Sequence, residues 1–328
     1  MEILYSFLII FVGVFFMIQA GKVVVRSLGI TARFLRLSEY VLSFILIALA
    51  TSLPELAVGV NSAILGIPEL SLGDIIGTNI VNFSLILGVV AIVGSNVELK
   101  DYDHFKKNRL FLMLAVLAPM ILILDGTLSR IDGGVLILLF VWNIIRLLDL
   151  DDILLGRKVL RPHLSKYVHD SVATWKEFLK HLFLLLSGAA VLITSALFIV
   201  RAAEDISIAL GVSSALIGVL VIAVCTSLPE LIVGLRSVRA DKSSITLGDI
   251  LGSATINSTL VLGIVTLISP ITLQNQAIVW VGILFTIASL LMIFYFLKSK
   301  HSISRKEGYF LFGLYILFVL TQLGINFY

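Results

Sequence analysis

The stretch Thr51-Ser52-Leu53-Pro54-Glu55-Leu56 returns unchanged as Thr226-Ser227-Leu228-Pro229-Glu230-Leu231, each copy set inside an apolar run. Each is followed at one fixed interval by a glycine-rich segment. The first is Leu72-Gly73-Asp74-Ile75-Ile76-Gly77-Thr78 with Asn82 beyond it, and the second is Leu247-Gly248-Asp249-Ile250-Leu251-Gly252-Ser253 with Asn257 beyond it. Every matched pair of positions lies 175 residues apart. A constant interval maintained over two separate motifs marks an internal duplication.

Around these motifs the chain is 59% hydrophobic and 14% charged over 328 residues, with a mean hydropathy of +1.09. That is too apolar for a domain with a water-facing surface and indicates a polytopic membrane protein. Runs long enough to cross about 30 Å of hydrocarbon fall near residues 2–25, 38–64, 72–95, 107–124 and 131–148, and again near 180–203, 213–236, 247–269, 277–297 and 307–326. An odd number of spans per half makes the second half enter the membrane from the opposite side. The expected fold is therefore an all-α polytopic membrane protein with ten transmembrane helices arranged as two inverted five-helix repeats. The first repeat covers 1–148 (motif region 48–88), a cytoplasmic linker 149–176, and the second repeat 177–328 (motif region 223–263).

Charge placement tests this count independently. With the N-terminus outside, 22 of the 24 Lys and Arg residues fall on inner loops or inner span ends, leaving only Arg130 and Arg201 outside. This positive-inside bias places both termini outside. Glu2 stands where a secretory signal would carry basic residues, so the first run reads as a true span. The single cysteine, Cys225, excludes a disulfide framework and a cysteine-ligated metal site. The five histidines lie in loops or at helix ends without ligand spacing, and Asp149, Asp151 and Asp152 lack the glycine turn of a calcium loop. These groups read as surface and solvated linker.

The repeated motif is a cluster of oxygen ligands. Proline inside a helix donates no N–H and clashes with the carbonyl four residues back, so Pro54 and Pro229 free or loosen the carbonyls of Ala50 and Thr51, and of Cys225 and Thr226. In hydrocarbon such carbonyls must be buried in protein or line a wet cavity, and a cation satisfies them. Thr51 and Ser52 precede Glu55 by four and three residues, which puts hydroxyls, carbonyls and carboxylate on one helix face. Glu55 and Glu230 fall near mid-span, where an ionised side chain costs on the order of 3 kcal/mol, and no span carries a central Lys or Arg to pair with either. The inverted repeat brings the two carboxylates together, and a divalent cation relieves their repulsion. Two carboxylates and the Thr51 and Thr226 carbonyls supply about six hard oxygens, which suits calcium better than magnesium or a soft metal.

Gly73/Gly77 and Gly248/Gly252 have the spacing of close helix packing. Asp74, Thr78 and Asn82, like Asp249, Ser253 and Asn257, form a polar stripe down the same helices. Thr78, Asn82, Ser253 and Asn257 are expected to complete ion sites beside the glutamates. Asp74 and Asp249 are expected at the helix starts, as caps or as attractors of cations at the mouth.

The doubled T-S-L-P-E followed by G-x-x-x-G-[ST]-x-x-x-N resembles the alpha repeats of the calcium/cation antiporter superfamily, most closely its prokaryotic sodium/calcium exchangers. The resemblance implies Glu55 and Glu230 as central calcium ligands shared with sodium, helped by Thr51, Ser52, Thr226, Ser227, Thr78 and Ser253. It further implies sodium ligation by the backbone oxygens of Ala48 and Ala223, and sliding of the first helix of each half across the rest. This chain departs from the pattern at Ala50 and Cys225, where glycine is usual, and at Asp74 and Asp249, where asparagine is common. It also carries Asn257 where the sodium/calcium branch has aspartate, leaving two central carboxylates that balance one calcium or two monovalent ions.

The expected function is calcium/sodium antiport across a prokaryotic plasma membrane, with a proton/calcium exchanger on the same scaffold as the alternative and a passive cation channel as a remote one. No enzyme is expected, because no histidine, phosphate clamp or positioned nucleophile lies at membrane depth. No cofactor, nucleic-acid contact or obligate protein partner is expected beyond the bilayer and the transported ions.

Overall fold

The computed structural model describes residues 2–34, 39–94, 96–99, 102–147, 175–239 and 244–326; within them, the side chains of residues 2, 25, 28–34, 39–51, 102–108, 147, 244, 245, 299, 300 and 326 are outside the description. The helices are α1 (Glu2–Phe34), α2 (Glu39–Ile64), α3 (Pro68–Gly94), α4 (Tyr102–Leu122), α5 (Arg130–Leu147), α6 (Trp175–Leu210), α7 (Ser214–Arg239), α8 (244–268), α9 (Gln276–Lys300) and α10 (Arg305–Asn326). Four short strands join them: β1 (Asn96–Glu98), β2 (Thr127–Leu128), β3 (Ile271–Thr272) and β4 (Ser302–Ser304). Among the described residues, seven helices (α1, α3 and α6 to α10) are long and apolar enough to cross a membrane. Helices α2, α4 and α5 run where three further spans are expected. The linker, with Asp149, Asp151 and Asp152, lies outside the described residues.

Local sequence explains the helix ends. Pro68 opens α3 at its first turn, where a missing N–H costs nothing. Ser129 and Asp132 form a reciprocal cap at the start of α5, with the Ser129 amide donating to Asp132 Oδ2 at 2.8 Å and the Asp132 amide to Ser129 Oγ at 3.4 Å. Ser304 and Glu307 do the same for α10, at 2.7 and 3.5 Å. These two caps stand 175 residues apart. The α9 C-terminus closes on His301 in the left-handed region, φ 54°.

Tertiary contacts repeat under the same shift. A Cβ on Gly88 would meet the Gly308 carbonyl oxygen at 2.9 Å, and one on Gly263 would meet that of Gly133 at 3.1 Å, which is the same contact with the halves exchanged. The strand pairs follow suit: β1 pairs antiparallel with β4 and β2 with β3, so each strand takes its partner from the other half. Lipid tails offer no hydrophobic drive between helices, so association rests on close packing of small residues, and these glycines supply it. These glycine contacts and strand pairs recur when the halves are exchanged, whereas the close approach at Gly73 and Gly77 has no counterpart at Gly248 and Gly252.

Helices α1 and α6 are 33 and 36 residues long, well beyond the spans expected there. They pack side by side through one apolar cluster that includes Ile10, Val14, Met17, Ala196, Ile199 and Ala203. Both keep an exposed apolar face, with Phe11, Phe15, Phe183 and Leu186 outward.

Candidate ion-binding site

The site lies where α2, α3, α7 and α8 meet. Glu55 of α2, Glu230 of α7 and Asp74 of α3 are all 0% exposed. The two prolines act differently in the two halves. Helix α2 runs through Pro54 without interruption, whereas α7 breaks at Ser227 (φ −80°, ψ 0°) two residues before Pro229 and resumes at Leu228. The Ala223 carbonyl, expected to face a cation, accepts the Ser227 amide at 3.2 Å and the Thr226 hydroxyl at 3.4 Å. Ala48 and Thr51 fall among the residues whose side chains are not described.

Two polar networks converge. In the first, Thr226 Oγ1 donates to Asp74 Oδ1 at 3.1 Å, Thr78 Oγ1 donates to the same oxygen at 3.4 Å, and the two hydroxyls stand 3.4 Å apart. In the second, Ser253 Oγ donates to Glu230 Oε1 at 3.2 Å and accepts from Asn257 Nδ2 at 3.4 Å. Glu55 sits within electrostatic reach of both Glu230 and Asp74, and Glu230 within reach of Asp249.

Most acceptors in this region have no donor. Both Glu55 oxygens, Asp74 Oδ2, Glu230 Oε2, Asn257 Oδ1, both amide atoms of Asn82, and the hydroxyls of Ser52 and Ser227 are buried without a hydrogen-bond partner among the described residues. Buried polar groups are normally satisfied, and an unpaired one costs about 1–3 kcal/mol, more when charged. A concentration of unpartnered oxygens with no basic side chain among the described residues beside it therefore fits a hard cation. Among the described residues no three His, Cys, Asp or Glu side chains converge as in a tight metal centre. Any ion held here would have to draw hydroxyl and amide oxygens into its shell.

Asn82 and Asn257 lie in π-helical turns, Val81–Ile86 and Asn257–Val261. Such turns widen the helix and expose backbone and side-chain oxygens, and they concentrate at functional sites. Gly73 and Gly77 let α3 approach α7: a Cβ there would lie 2.2 Å from the Ala215 carbonyl oxygen and 2.5 Å from that of Val219.

Asp74 corrects an expectation. It is not a cap, because α3 starts at Pro68 with Ile67 as its N-cap; it lies a turn and a half inside, fully buried and held by two threonines. Asp249 likewise lies beyond the first turn of α8, which starts by Ser244, and is half-buried. The missed residues are Asn79 and Ser258, both buried, whose side chains join at 2.9 Å across the halves. Their repeat counterparts are Ala254 and Phe83, so a symmetric reading passes over them. A polar residue facing an apolar counterpart is the signal that finds them.

A helical membrane bundle of two exchanged halves around a buried acidic cluster defines an ion-translocating protein. The family model described as "Sodium/calcium exchanger protein" matches residues 5–148 and 180–324. The chain belongs to this family, within the calcium/cation antiporter superfamily, a family of ion exchangers. Among curated relatives, the sodium/calcium exchanger MaX1 of Methanosarcina acetivorans is 25% identical over 96% of this chain and 98% of its own length. Among solved structures, the sodium-calcium exchanger NCX_Mj superposes with a TM-score of 0.62 at 25% identity, over 97% of this chain and 99% of that one. The H+/Ca2+ exchanger CAX superposes with a TM-score of 0.72 at 20% identity, over 98% of this chain and 87% of that one, a likeness of fold.

Proposed function

We propose that this chain is a secondary antiporter that exchanges calcium for sodium across a prokaryotic plasma membrane by alternating access, with ten spans in two inverted halves and both termini outside. The observation that carries this reading is the burial of Glu55 and Glu230, from repeat-related positions, among unpartnered oxygens and without a basic side chain. Both glutamates, with Ser52, Ser227, Thr78, Ser253, Asn82 and Asn257 around them, hold the ions. Glycine contacts and crossed strand pairs that recur at the 175-residue interval support the inverted repeat.

Alternating access requires equivalent positions to occupy unlike environments on the two sides. Gly73 and Asp74 are buried against α7, while Gly248 is exposed and Asp249 half-buried. This difference supports a state sealed on the α3 side and accessible on the α8 side. Asp74 also bears on coupling. With Asn257 in place of an acid, two carboxylates alone would carry two charges, but Asp74 adds a third beside Glu55. A third buried acid within electrostatic reach of Glu55 favours sodium, because it offers negative charge for a further monovalent ion beside the two glutamates.

The test is calcium uptake into proteoliposomes loaded with sodium and diluted into sodium-free medium, at equal pH on both sides and with the voltage clamped by potassium and valinomycin. Accumulation only with internal sodium is the expected result. Uptake that waits for a pH gradient would replace sodium by protons, the second reading, which buried carboxylates without a cationic partner also support. Equilibration without accumulation under any gradient would make the chain a channel.

A further inference from the structure

Away from the candidate ion site, α4 and α9 leave an outward-facing groove of about 340 Å³. Its walls are apolar, formed by Leu110 and Met113 of α4 and Leu291 and Tyr295 of α9, and its rim carries Arg109 and Lys298. Both cations are exposed, and neither forms an ion pair with a described residue. They lie at one end of the molecule, because β1, just before α4, pairs with β4, just after α9. The positive-inside distribution makes that end cytoplasmic.

We propose that this groove binds one anionic glycerophospholipid of the cytoplasmic leaflet, its phosphate held between Arg109 and Lys298 and an acyl chain lying along Leu110, Met113, Leu291 and Tyr295. Some lipid must cover an apolar groove at this depth, so its class is what the rim decides. Arg109 presents a planar fork that matches phosphate oxygens bidentately, and Lys298 adds a mobile point charge from the opposite wall. A zwitterionic headgroup brings its own cation to the phosphate and leaves these two unmatched. Basic pockets between transmembrane helices on the cytoplasmic side have this selectivity. Ordinary snorkelling of two end-of-helix cations would show neither a fixed number of lipids nor dependence on the groove walls.

Native mass spectrometry of the purified chain titrated with phosphatidylglycerol or phosphatidylcholine of identical acyl chains tests this. The wild type should retain one phosphatidylglycerol roughly 30-fold more tightly than phosphatidylcholine, taking the usual contribution of two basic residues near a charged headgroup. Arg109→Gln with Lys298→Gln should abolish the preference, while Arg236→Gln with Arg239→Gln, exposed cations at the end of α7, should leave it intact. Leu291→Trp keeps both charges but fills the groove, and should release the bound lipid. Equal retention of the two lipids by the wild type, equal losses in the two double variants, or full retention by Leu291→Trp would each overturn the site.

Discussion

Replacing Glu230 by glutamine separates charge from shape. The side chain keeps its length, and its carbonyl oxygen can still accept the Ser253 hydroxyl now 3.2 Å from Oε1. Its other oxygen, Oε2, is buried without a partner, so an amide there disturbs no existing hydrogen bond. What is lost is one negative charge beside a divalent ion. At about 4 Å and an effective dielectric near 20, a unit charge facing calcium contributes roughly 8 kcal/mol before rehydration of the site. If rehydration recovers half, the dissociation constant still rises about a thousandfold. Thermal unfolding in detergent reads this directly. Calcium at 100 times the wild-type dissociation constant stabilises the folded chain by about 2.7 kcal/mol. The same calcium stabilises a variant weakened a thousandfold by less than about 0.1 kcal/mol. The wild-type melting temperature should therefore rise with calcium and that of Glu230→Gln should not, while without calcium the variant, relieved of a buried unpaired charge, should melt no lower than the wild type. A calcium-dependent rise of wild-type size in Glu230→Gln would refute its role as a central ligand.

Asp74→Asn keeps an acceptor for Thr226 and Thr78 but lowers the cavity charge by one. Calcium transport should persist with one fewer sodium moved per calcium, read from the reversal potential of exchange, and an unchanged ratio would reduce Asp74 to a structural role. Gly73→Ala places a methyl 2.2 Å from the Ala215 carbonyl oxygen, against rigid backbone; it should cost about 1–3 kcal/mol or prevent folding. Gly134→Ala, which meets nothing within 4 Å inside α5, should not lower the melting temperature and, by removing a helix-interior glycine, should raise it slightly. Asn79→Ala and Ser258→Ala each leave a buried partner unsatisfied at a cost of about 1–3 kcal/mol. The double variant should be less destabilised than the sum of the two, and strict additivity in a double-mutant cycle would deny the 2.9 Å bond.

Much of this architecture was legible because duplication writes it twice. A motif repeated at a constant interval, with glutamates at mid-span and no central cation, pointed to Glu55 and Glu230 before any coordinates. The position of Asp74 was not legible from apolarity alone. Counting the span from Leu72 overlooks Pro68, whose ring fits the first turn of a helix and moves the start by a full turn. The lengths of α1 and α6 were hidden for a similar reason, since both helices continue past the hydrocarbon into polar sequence such as Arg201 to Asp205. The π-helical turns at Asn82 and Asn257 leave no mark in composition, and strands of two or three residues are too short to show periodicity.

The crossed strands carry a consequence for how such a molecule could arise. No strand of β1 to β4 finds its mate within its own half. A polypeptide half as long would present two open edges, and could close both only against a second copy whose strands meet them in exchanged order. The two ribbons act as buckles that fasten one half to the other. They preserve in a single chain the handshake of an antiparallel dimer, and halves made as separate polypeptides should still find that grip.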